Sequence, residues 1–504
     1  MSQLKKGALL SYVKMILTNI VGILLTPFII KSLGSSEYGV YLLVGSVVAY
    51  LGLMNLGIDN AIVRYVAKYK VKNDKVGEQK FLGTTMWIYI IISFFLTIIG
   101  IIIYFNLESI FANSLNADEL EKAKIMFAIL VGNIAIAFPG GTFMAICQGY
   151  ENFVFPNTMS IIKYIIRGLA IICLLLLGGK AISIVVLDTI LSVSTILIAA
   201  IFVTKKLKIK ISLKIYDFSL VKDIFSYSLW VFLFGIVYNF QWRSGQVILG
   251  ITTDTATIAI YGVGIMLGGY YGAFSGGINS VLVPRATQMV FNKSDGKSLT
   301  DFMVKIGRLN AIILFMVLSG FILFGKIFVE LWVGKAYEKA YIIALLLMIV
   351  MTLPLIQAFG NSILEARRKN RFKSLLSIFT VSIAILFSYY FSETNGVYGV
   401  IIPLVIAMFI NSIVMTFYYK KIFGFKIIFF LKNTMAKPLI VNSFLTVITY
   451  LILKQTIIDS WFMFGIYTLI FGIIQVTLSY TILMNNYEKS LILNLLKSKR
   501  QSKK

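Results

Sequence analysis

Apolar runs long enough to cross a membrane recur along the whole chain, and short polar segments separate them. A helix needs about 20 apolar residues to span a bilayer. The strict alternation of a β-strand does not persist in any run. The pattern therefore predicts an all-α polytopic membrane protein with about fourteen transmembrane helices. The predicted helices cover residues 7–30, 38–63, 81–105, 122–148, 156–177, 181–203, 227–250, 256–283, 304–328, 340–364, 373–391, 396–419, 435–453 and 461–483.

Lysine and arginine are distributed unevenly between the two sides of this arrangement. With the N-terminus in the cytoplasm, 36 of the 47 basic residues fall in cytoplasmic segments, 8 in outside loops and 3 within helices. Basic residues concentrate in cytoplasmic loops, so this bias predicts that both termini are cytoplasmic. The first apolar run contains Lys14 and lacks a small-residue cleavage site, so we interpret it as an uncleaved helix.

The composition supports a membrane protein and narrows its chemistry. Of the 504 residues, 59% are hydrophobic and 13% are charged, with a net charge of +26. The basic residues lie between apolar runs, so we attribute them to topology and contact with membrane lipids, and we expect no nucleic-acid partner. Two cysteines and no histidine form no metal-binding pattern, so we expect neither a metal nor another cofactor.

Two stretches of the chain resemble each other. Residues 38–64 and 261–285 both open with Tyr-Gly-Val, pass through Gly-Ile and end in an arginine. Prolines at 139 and 354 occupy matching places in the fourth and tenth predicted helices. These correspondences predict two pseudo-symmetric six-helix bundles with two further helices at the C-terminus. The predicted boundaries are 1–204 for the first bundle, 205–226 for a basic cytoplasmic linker, 227–420 for the second bundle, and 421–504 for helices 13 and 14 with a basic tail.

Seven charged side chains are predicted within the membrane spans or at their ends. A charge at the centre of a bilayer costs about 2.5–3.5 kcal/mol on insertion scales, so it rarely faces lipid. A cavity lined by the cations would bind an anion such as a phosphate or pyrophosphate group. The cations are Lys14, Arg64, Arg167, Arg243 and Arg285, and the carboxylates are Asp59 and Asp188.

Most of these charges also have a structural interpretation. Arg167 and Asp188 are predicted at similar depth on adjacent helices, so they can form an ion pair. Arg64 and Arg285 can anchor helix ends at the cytoplasmic surface. Lys14 can extend its side chain to the membrane interface.

Amide side chains at membrane depth are further candidates for substrate binding. Asn239 and Gln241 adjoin Arg243 in an unusually polar part of the seventh predicted helix, and Asn19 lies in the first. A sugar needs such partners, although hydrogen bonds between helices explain each amide equally well. The eighth predicted helix is rich in glycine, which permits close packing and also bending.

Several motifs resemble one family of exporters. LGSSEYGVY follows the first predicted helix, LGIDNAIVRYVAKY ends the second, QGYENF follows the fourth, and a basic linker precedes YSLW. These stretches resemble the Wzx-type polysaccharide flippases of the multidrug/oligosaccharidyl-lipid/polysaccharide (MOP) exporter superfamily, over essentially the whole chain. The resemblance implies a flippase that moves an undecaprenyl-pyrophosphate-linked oligosaccharide, such as an O-antigen or capsule repeat unit, to the outer leaflet by alternating access.

The same resemblance implies a location and partners. The protein would be a multi-pass protein of the cytoplasmic membrane, with a lipid-linked oligosaccharide as substrate and the polymerase or other envelope polysaccharide machinery as partners. Members of the superfamily use an ion gradient, and the sequence leaves open whether the ion is H⁺ or Na⁺.

Other functions remain alternatives at this point. A lipid II flippase needs the same cationic cavity. A cation-coupled multidrug exporter would have a carboxylate in its first helix, where this chain has Lys14. An enzyme is disfavoured because the chain has no histidine, no large outside loop and no Asp-x-Asp pair. A scaffold role would leave the arginines and lysines at membrane depth without a purpose.

Overall fold

The computed structural model describes residues 3–112, 114–279, 282–292, 294–454, 456 and 458–490. Within these ranges the regular structure is helical and contains no strand, which confirms the predicted all-α class. The α-helices are α1 Gln3–Leu33, α2 Ser35–Leu51, α3 Ile58–Lys72, α4 Lys75–Ile110, α5 Ala117–Gly149, α6 Val154–Leu176, α7 Ala181–Ile201, α8 Leu220–Thr252, α9 Thr255–Asn279, α10 Leu282–Phe291, α11 Gly296–Val333, α12 Glu338–Ile356, α13 Ala358–Ala366, α14 Arg371–Phe423, α15 Ile427–Leu431, α16 Lys437–Leu453 and α17 Trp461–Leu478. Short 3₁₀ or π turns cover Gly52–Asn55, Phe202–Lys206, Lys335–Tyr337, Lys432–Ala436 and Ser479–Leu483.

The described residues form twelve helical segments that are long and apolar enough to cross a membrane. One of them, α14, is 53 residues long and contains Gly396 in a non-helical conformation, so it comprises two helices joined at a kink. These segments confirm the polytopic membrane class. The count of fourteen helices and the cytoplasmic placement of both termini stay predictions.

The chain divides into two compact units. The first unit contains Met1–Gly262 and Ile385–Val400, and the second contains Val263–Ala384 and Ile401–Lys504. In the first unit α5 is the central helix, packed against α2, α3, α4 and α7, while α1 packs on α6 and α8 packs on α2. In the second unit α11 has this central position, packed against α12, α16 and α17.

Two helices predicted as continuous are broken, and this corrects the sequence analysis. The predicted helix 38–63 is α2 and α3, separated at Leu56 and Gly57, which both have left-handed backbone angles. For the predicted helix 256–283, the described residues form α9 up to Asn279 and α10 from Leu282, and residues 280–281 lie outside the described ranges. The predicted helix 340–364 is α12 and α13, which meet at Gln357.

Two glycines in the repeated motif allow helices to approach closely in the first unit. A Cβ atom on Gly39 would lie 1.8 Å from the carbonyl oxygen of Thr255, which begins α9. A Cβ atom on Gly262 would lie 2.4 Å from Cδ1 of Leu42 on α2. A side chain at Gly39 would thus force α2 and α9 apart, because it would meet the backbone of Thr255.

The basic linker docks on the N-terminal half of α4. The Thr84 hydroxyl donates a hydrogen bond to the carbonyl oxygen of Asp217 at 3.2 Å, and the indole of Trp87 donates one to the carbonyl of Leu213 at 2.9 Å. The Asp217 carboxylate accepts hydrogen bonds from the hydroxyl and backbone amide of Ser219, which lower its pKa. The predicted seventh helix starts earlier than expected, because α8 begins at Leu220.

Candidate functional site

An ion pair joins α6 and α7 at membrane depth. Nε of Arg167 donates to Oδ1 of Asp188 at 2.5 Å, and Nη2 donates to Oδ2 at 2.8 Å. Nη2 also lies 3.4 Å from the hydroxyl oxygen of Tyr41 on α2. The side chains of Arg167 and Asp188 are about a quarter exposed, at 24% and 25%. The bidentate geometry orients the guanidinium and neutralises one cation of the site.

Two further cations surround this pair. Lys163, one turn before Arg167 on α6, interacts electrostatically with both Arg167 and Asp188. Tyr41 interacts electrostatically with Arg243 on α8 as well as with the ion pair. We call Lys163, Arg167, Arg243 and Asp188 the cationic cluster. Three positive charges and one negative charge leave it with a net charge of about +2, which favours an anion.

Arg243 is the most accessible cation of the cluster. Its side chain is exposed and forms no hydrogen bond or ion pair with any described residue. It lies near enough to Tyr50 on α2 for an electrostatic interaction. A buried hydrogen bond between Ser46 and Gln246 holds α8 against α2 at this level. Arg243 is therefore a positioned cation whose charge no described side chain neutralises.

The two predicted amides near Arg243 differ in their contacts. Asn239 is half-buried, and its Nδ2 donates to the carbonyl oxygen of Gly235 on the same helix at 3.1 Å. Gln241 is half-buried and makes no hydrogen bond with a described residue. Only Gln241 thus keeps its full hydrogen-bonding capacity for a ligand.

Lys14 lies on the stripe of α1 that packs toward α6. The Ser11 hydroxyl donates a hydrogen bond to the carbonyl oxygen of Gly7 on the same helix and accepts one from Nδ2 of Asn157 on α6 at 2.9 Å. Further along α1, Val21 packs near Gly168 of α6. Spacing along a helix puts Lys14 on the same face as Ser11 and Val21. The structure therefore places this half-buried lysine next to α6 rather than on the lipid-facing side of α1, where Leu9, Ile16, Ile20 and Leu24 are exposed.

The remaining predicted residues lie on other helices or in the second unit. Asn19 is half-buried on α1, and Arg64 is exposed on α3. Arg285 belongs to the second unit, where its guanidinium lies 3.4 Å from Oε1 of Gln288 and 5.5 Å from the ring centre of Phe302. Of the predicted residues, the described contacts thus bring together Arg167, Asp188 and Arg243.

A second polar site lies at the break between α2 and α3. Oδ1 of Asp59 accepts a hydrogen bond from the Tyr89 hydroxyl at 2.7 Å, and Oδ2 accepts one from Nδ2 of Asn55 at 3.0 Å. Sequence reasoning identified Asp59 as a carboxylate at membrane depth but assigned it no site. Tyr89 is on another helix, 30 residues away, so no local pattern indicates this pairing.

Comparisons with known proteins agree with this architecture. Residues 4–290 match the family described as polysaccharide biosynthesis protein. The uncharacterized membrane protein EpsK of Bacillus subtilis (strain 168) is 22% identical over 468 residues, which is 88% of each chain. The lipid II flippase MurJ, in an inward closed conformation, has a TM-score of 0.71 at 16% identity, with 95% of this chain and 99% of that chain covered.

A second group of structures has the same fold. An outward-facing multidrug resistance transporter of the MATE family, in the MOP superfamily, has a TM-score of 0.58 at 16% identity, with 86% of this chain and 97% of that chain covered. These likenesses show that the chain has the fold of these transporters. Because the family match covers more than half of the chain, this protein belongs to the polysaccharide biosynthesis protein family.

Proposed function

We propose that this protein is a flippase that moves an undecaprenyl-pyrophosphate-linked oligosaccharide from the inner to the outer leaflet of the cytoplasmic membrane by alternating access. The observation that carries the proposal is the cationic cluster at membrane depth in the first unit. Membership in a polysaccharide biosynthesis family and the fold of membrane transporters support transport rather than catalysis.

The cluster suits a pyrophosphate group. Arginine presents several N–H donors in a planar arrangement that matches phosphate oxygens, and lysine adds a point charge. Asp188 already engages Arg167, so the charge available to a ligand comes mainly from Lys163 and Arg243. An anionic headgroup would replace the water that otherwise solvates these two cations.

Groups beside Arg243 suit a sugar. The ring centres of Tyr50 and Phe240 are 4.9 Å apart. The amide of Gln241 makes no hydrogen bond with a described residue. Carbohydrates bind through hydroxyl–amide hydrogen bonds and by stacking of their apolar faces on aromatic rings. A headgroup that carries both pyrophosphate and sugar would satisfy both halves of this site.

Two other transport functions remain as competitors. MurJ is named as a lipid II flippase, and lipid II also carries a pyrophosphate and sugars. The MATE proteins are named as multidrug transporters. A cluster with net positive charge would repel a cationic drug, so the arrangement favours a lipid-linked anion. We further propose that the polymerase or other envelope polysaccharide machinery receives the translocated lipid.

The decisive experiment measures which leaflet holds the lipid-linked oligosaccharide in cells with and without the protein. We expect the lipid to accumulate on the inner leaflet when the protein is absent, and analysis of that lipid identifies the sugar. Accumulation of lipid II would favour the MurJ-like alternative, and an unchanged distribution would contradict a flippase function.

Variants connect that assay to the cluster. We expect the double variant Lys14→Ala/Arg243→Ala to lose export while remaining in the membrane, and Arg243→Ala alone to cause most of the loss. Lys124→Ala is the matched control, because Lys124 is a cation paired with Glu108 away from the cluster. Full export by the double variant would refute the role of the cations.

A further inference from the structure

The linker between α7 and α8 carries a concentrated positive charge. Its segment 205–219 contains five lysines and one carboxylate, that of Asp217, which already accepts hydrogen bonds from the hydroxyl and backbone amide of Ser219. All five lysines are exposed, and none forms an ion pair with a residue of the described part of the chain. The five are Lys205, Lys206, Lys208, Lys210 and Lys214. Their charge is therefore available to an anion outside the protein.

Apolar side chains of the same segment are exposed beside these lysines. Leu213, Ile215, Tyr216 and Phe218 have exposed fractions that range from 38% for Ile215 to 54% for Phe218. A surface that combines lysines with aromatic and aliphatic side chains is typical of the boundary between membrane and water. We call the five lysines and these four apolar residues the linker surface.

Contacts with α4 fix the backbone of this segment. Besides the hydrogen bonds described above, the backbone amide of Asp217 donates to the hydroxyl oxygen of Thr84 at 2.8 Å. A Cβ atom on Gly83 would overlap the carbonyl oxygen of Ile215, so the linker backbone lies directly on α4. Because the backbone of residues 212–217 occupies α4, the exposed side chains of the linker surface remain available to another partner.

The docking site lies near the point where α4 enters the membrane. The predicted span of α4 begins at residue 81, so Thr84 and Trp87 are in its first two turns. The ring centres of Trp87 and Tyr216 are 6.5 Å apart, and those of Tyr216 and Phe218 are 5.0 Å apart. Tryptophan and tyrosine are enriched at the level of the lipid headgroups. This aromatic group therefore indicates that the linker surface lies at that level.

We propose that the linker surface binds anionic phospholipids of the leaflet on the side predicted to be cytoplasmic. The lysines would contact the phosphate groups, and Tyr216 and Phe218 would pack against the upper part of the acyl chains. A soluble polyanion would match the lysines but would leave the exposed apolar side chains in water, so the surface favours an amphiphilic anion. Lipid binding here is independent of the proposed flippase function, because the cationic cluster belongs to α6, α7 and α8 whereas the linker surface lies on α4.

The test measures lipid binding by native mass spectrometry of the purified full-length protein. The protein is titrated in detergent with phosphatidylglycerol, which is anionic, and in parallel with phosphatidylcholine, which has no net charge. We expect the wild type to bind phosphatidylglycerol more tightly. A lysine close to an anionic lipid surface contributes about a fivefold gain in affinity, so Lys208→Gln/Lys210→Gln should weaken phosphatidylglycerol binding about 25-fold.

A matched control removes the same charge from another exposed turn of the first unit. Lys72 and Lys75 flank the turn between α3 and α4, and the exposed apolar side chains beside them are the valines Val71 and Val76. Lys72→Gln/Lys75→Gln should change phosphatidylglycerol binding about twofold or less, because a lysine outside the lipid contact is screened by salt.

A second pair of variants tests the apolar part of the surface. Tyr216→Ser/Phe218→Ser keeps every lysine and should weaken the binding of both lipids several-fold, because the acyl chains lose their contacts. Val71→Ser/Val76→Ser removes exposed apolar side chains from the turn between α3 and α4 and should leave the binding of both lipids unchanged.

The outcomes decide between a lipid site and a general effect of charge. Equal affinity of the wild type for the two lipids, or an equal loss in the Lys72→Gln/Lys75→Gln control, would overturn the proposal. Displacement of phosphatidylglycerol by the same concentration of inorganic phosphate would show a site for free phosphate, which would also overturn it. A loss confined to the linker variants would support the lipid site, whatever the leaflet assay shows about the flippase function.

Discussion

The ion pair between Arg167 and Asp188 makes a quantitative prediction about stability. Asp188→Asn keeps the size of the side chain and removes its charge, which leaves Arg167 charged at membrane depth. Loss of one partner of a buried ion pair typically costs about 3–5 kcal/mol. The two side chains are 24% and 25% exposed, so we expect the lower end of that range. A loss of about 3 kcal/mol corresponds to a fall of about 150-fold in the ratio of folded to unfolded protein.

Replacement of both partners should behave differently. Arg167→Met with Asp188→Leu removes both charges and fills their space with apolar groups. Apolar replacement of a buried ion pair is often neutral or stabilising, so the double variant should be within about 1 kcal/mol of the wild type.

Unfolding by SDS in mixed micelles, followed by circular dichroism, measures these differences. Glu108→Gln breaks the more exposed pair with Lys124 and should cost less than about 1 kcal/mol, so it serves as the control. If Asp188→Asn unfolds at the same SDS fraction as the wild type, the ion pair does not stabilise the first unit. If the apolar double variant is as unstable as Asp188→Asn, the penalty does not come from an unpaired charge.

Three further predictions concern packing and docking. Gly39→Ala should destabilise the first unit by about 1–3 kcal/mol in thermal unfolding, because the added methyl group would overlap the start of α9. Gly45→Ala on the same helix should be neutral, because no atom lies within 4 Å of its added Cβ. Equal melting temperatures of the two variants would contradict this prediction. Arg308→Gln should lower the melting temperature more than Arg308→Lys, because it leaves the carboxylate of Glu488, which is only 1% exposed, without its cationic partner. An unchanged melting temperature would show that this ion pair does not stabilise the second unit. Thr84→Val should raise hydrogen exchange in the linker, since it removes a hydroxyl that binds the linker backbone, and unchanged exchange would contradict that docking.

Much of the fold follows from the sequence alone. Inside a bilayer every backbone polar group must be paired within the protein, so an apolar run of sufficient length becomes a helix almost regardless of its neighbours. The number of apolar runs therefore predicted the polytopic class, and the motifs around Tyr38 and Gln148 predicted the superfamily. The break in the second predicted helix was less visible, because Gly52 and Gly57 are also compatible with an uninterrupted transmembrane helix.

The sites depended on tertiary structure. The sequence placed Arg167, Asp188 and Arg243 within spans, but only packing brought them to Tyr41 from three other helices. The sequence does not reveal toward which side of α1 the Lys14 side chain points. The contacts of α1 with α6 determine that orientation.

The physical reason is that the local hydrophobic pattern and the packing of helices determine different features of the structure. Hydrophobicity along the chain determined which residues are in the membrane and hence which charges carry an energetic penalty. The shapes of facing surfaces, such as Gly39 against Thr255, determined which helices touch and in which rotation. Asp59 and Tyr89 lie on different helices, so their hydrogen bond could arise only when α3 packed against α4.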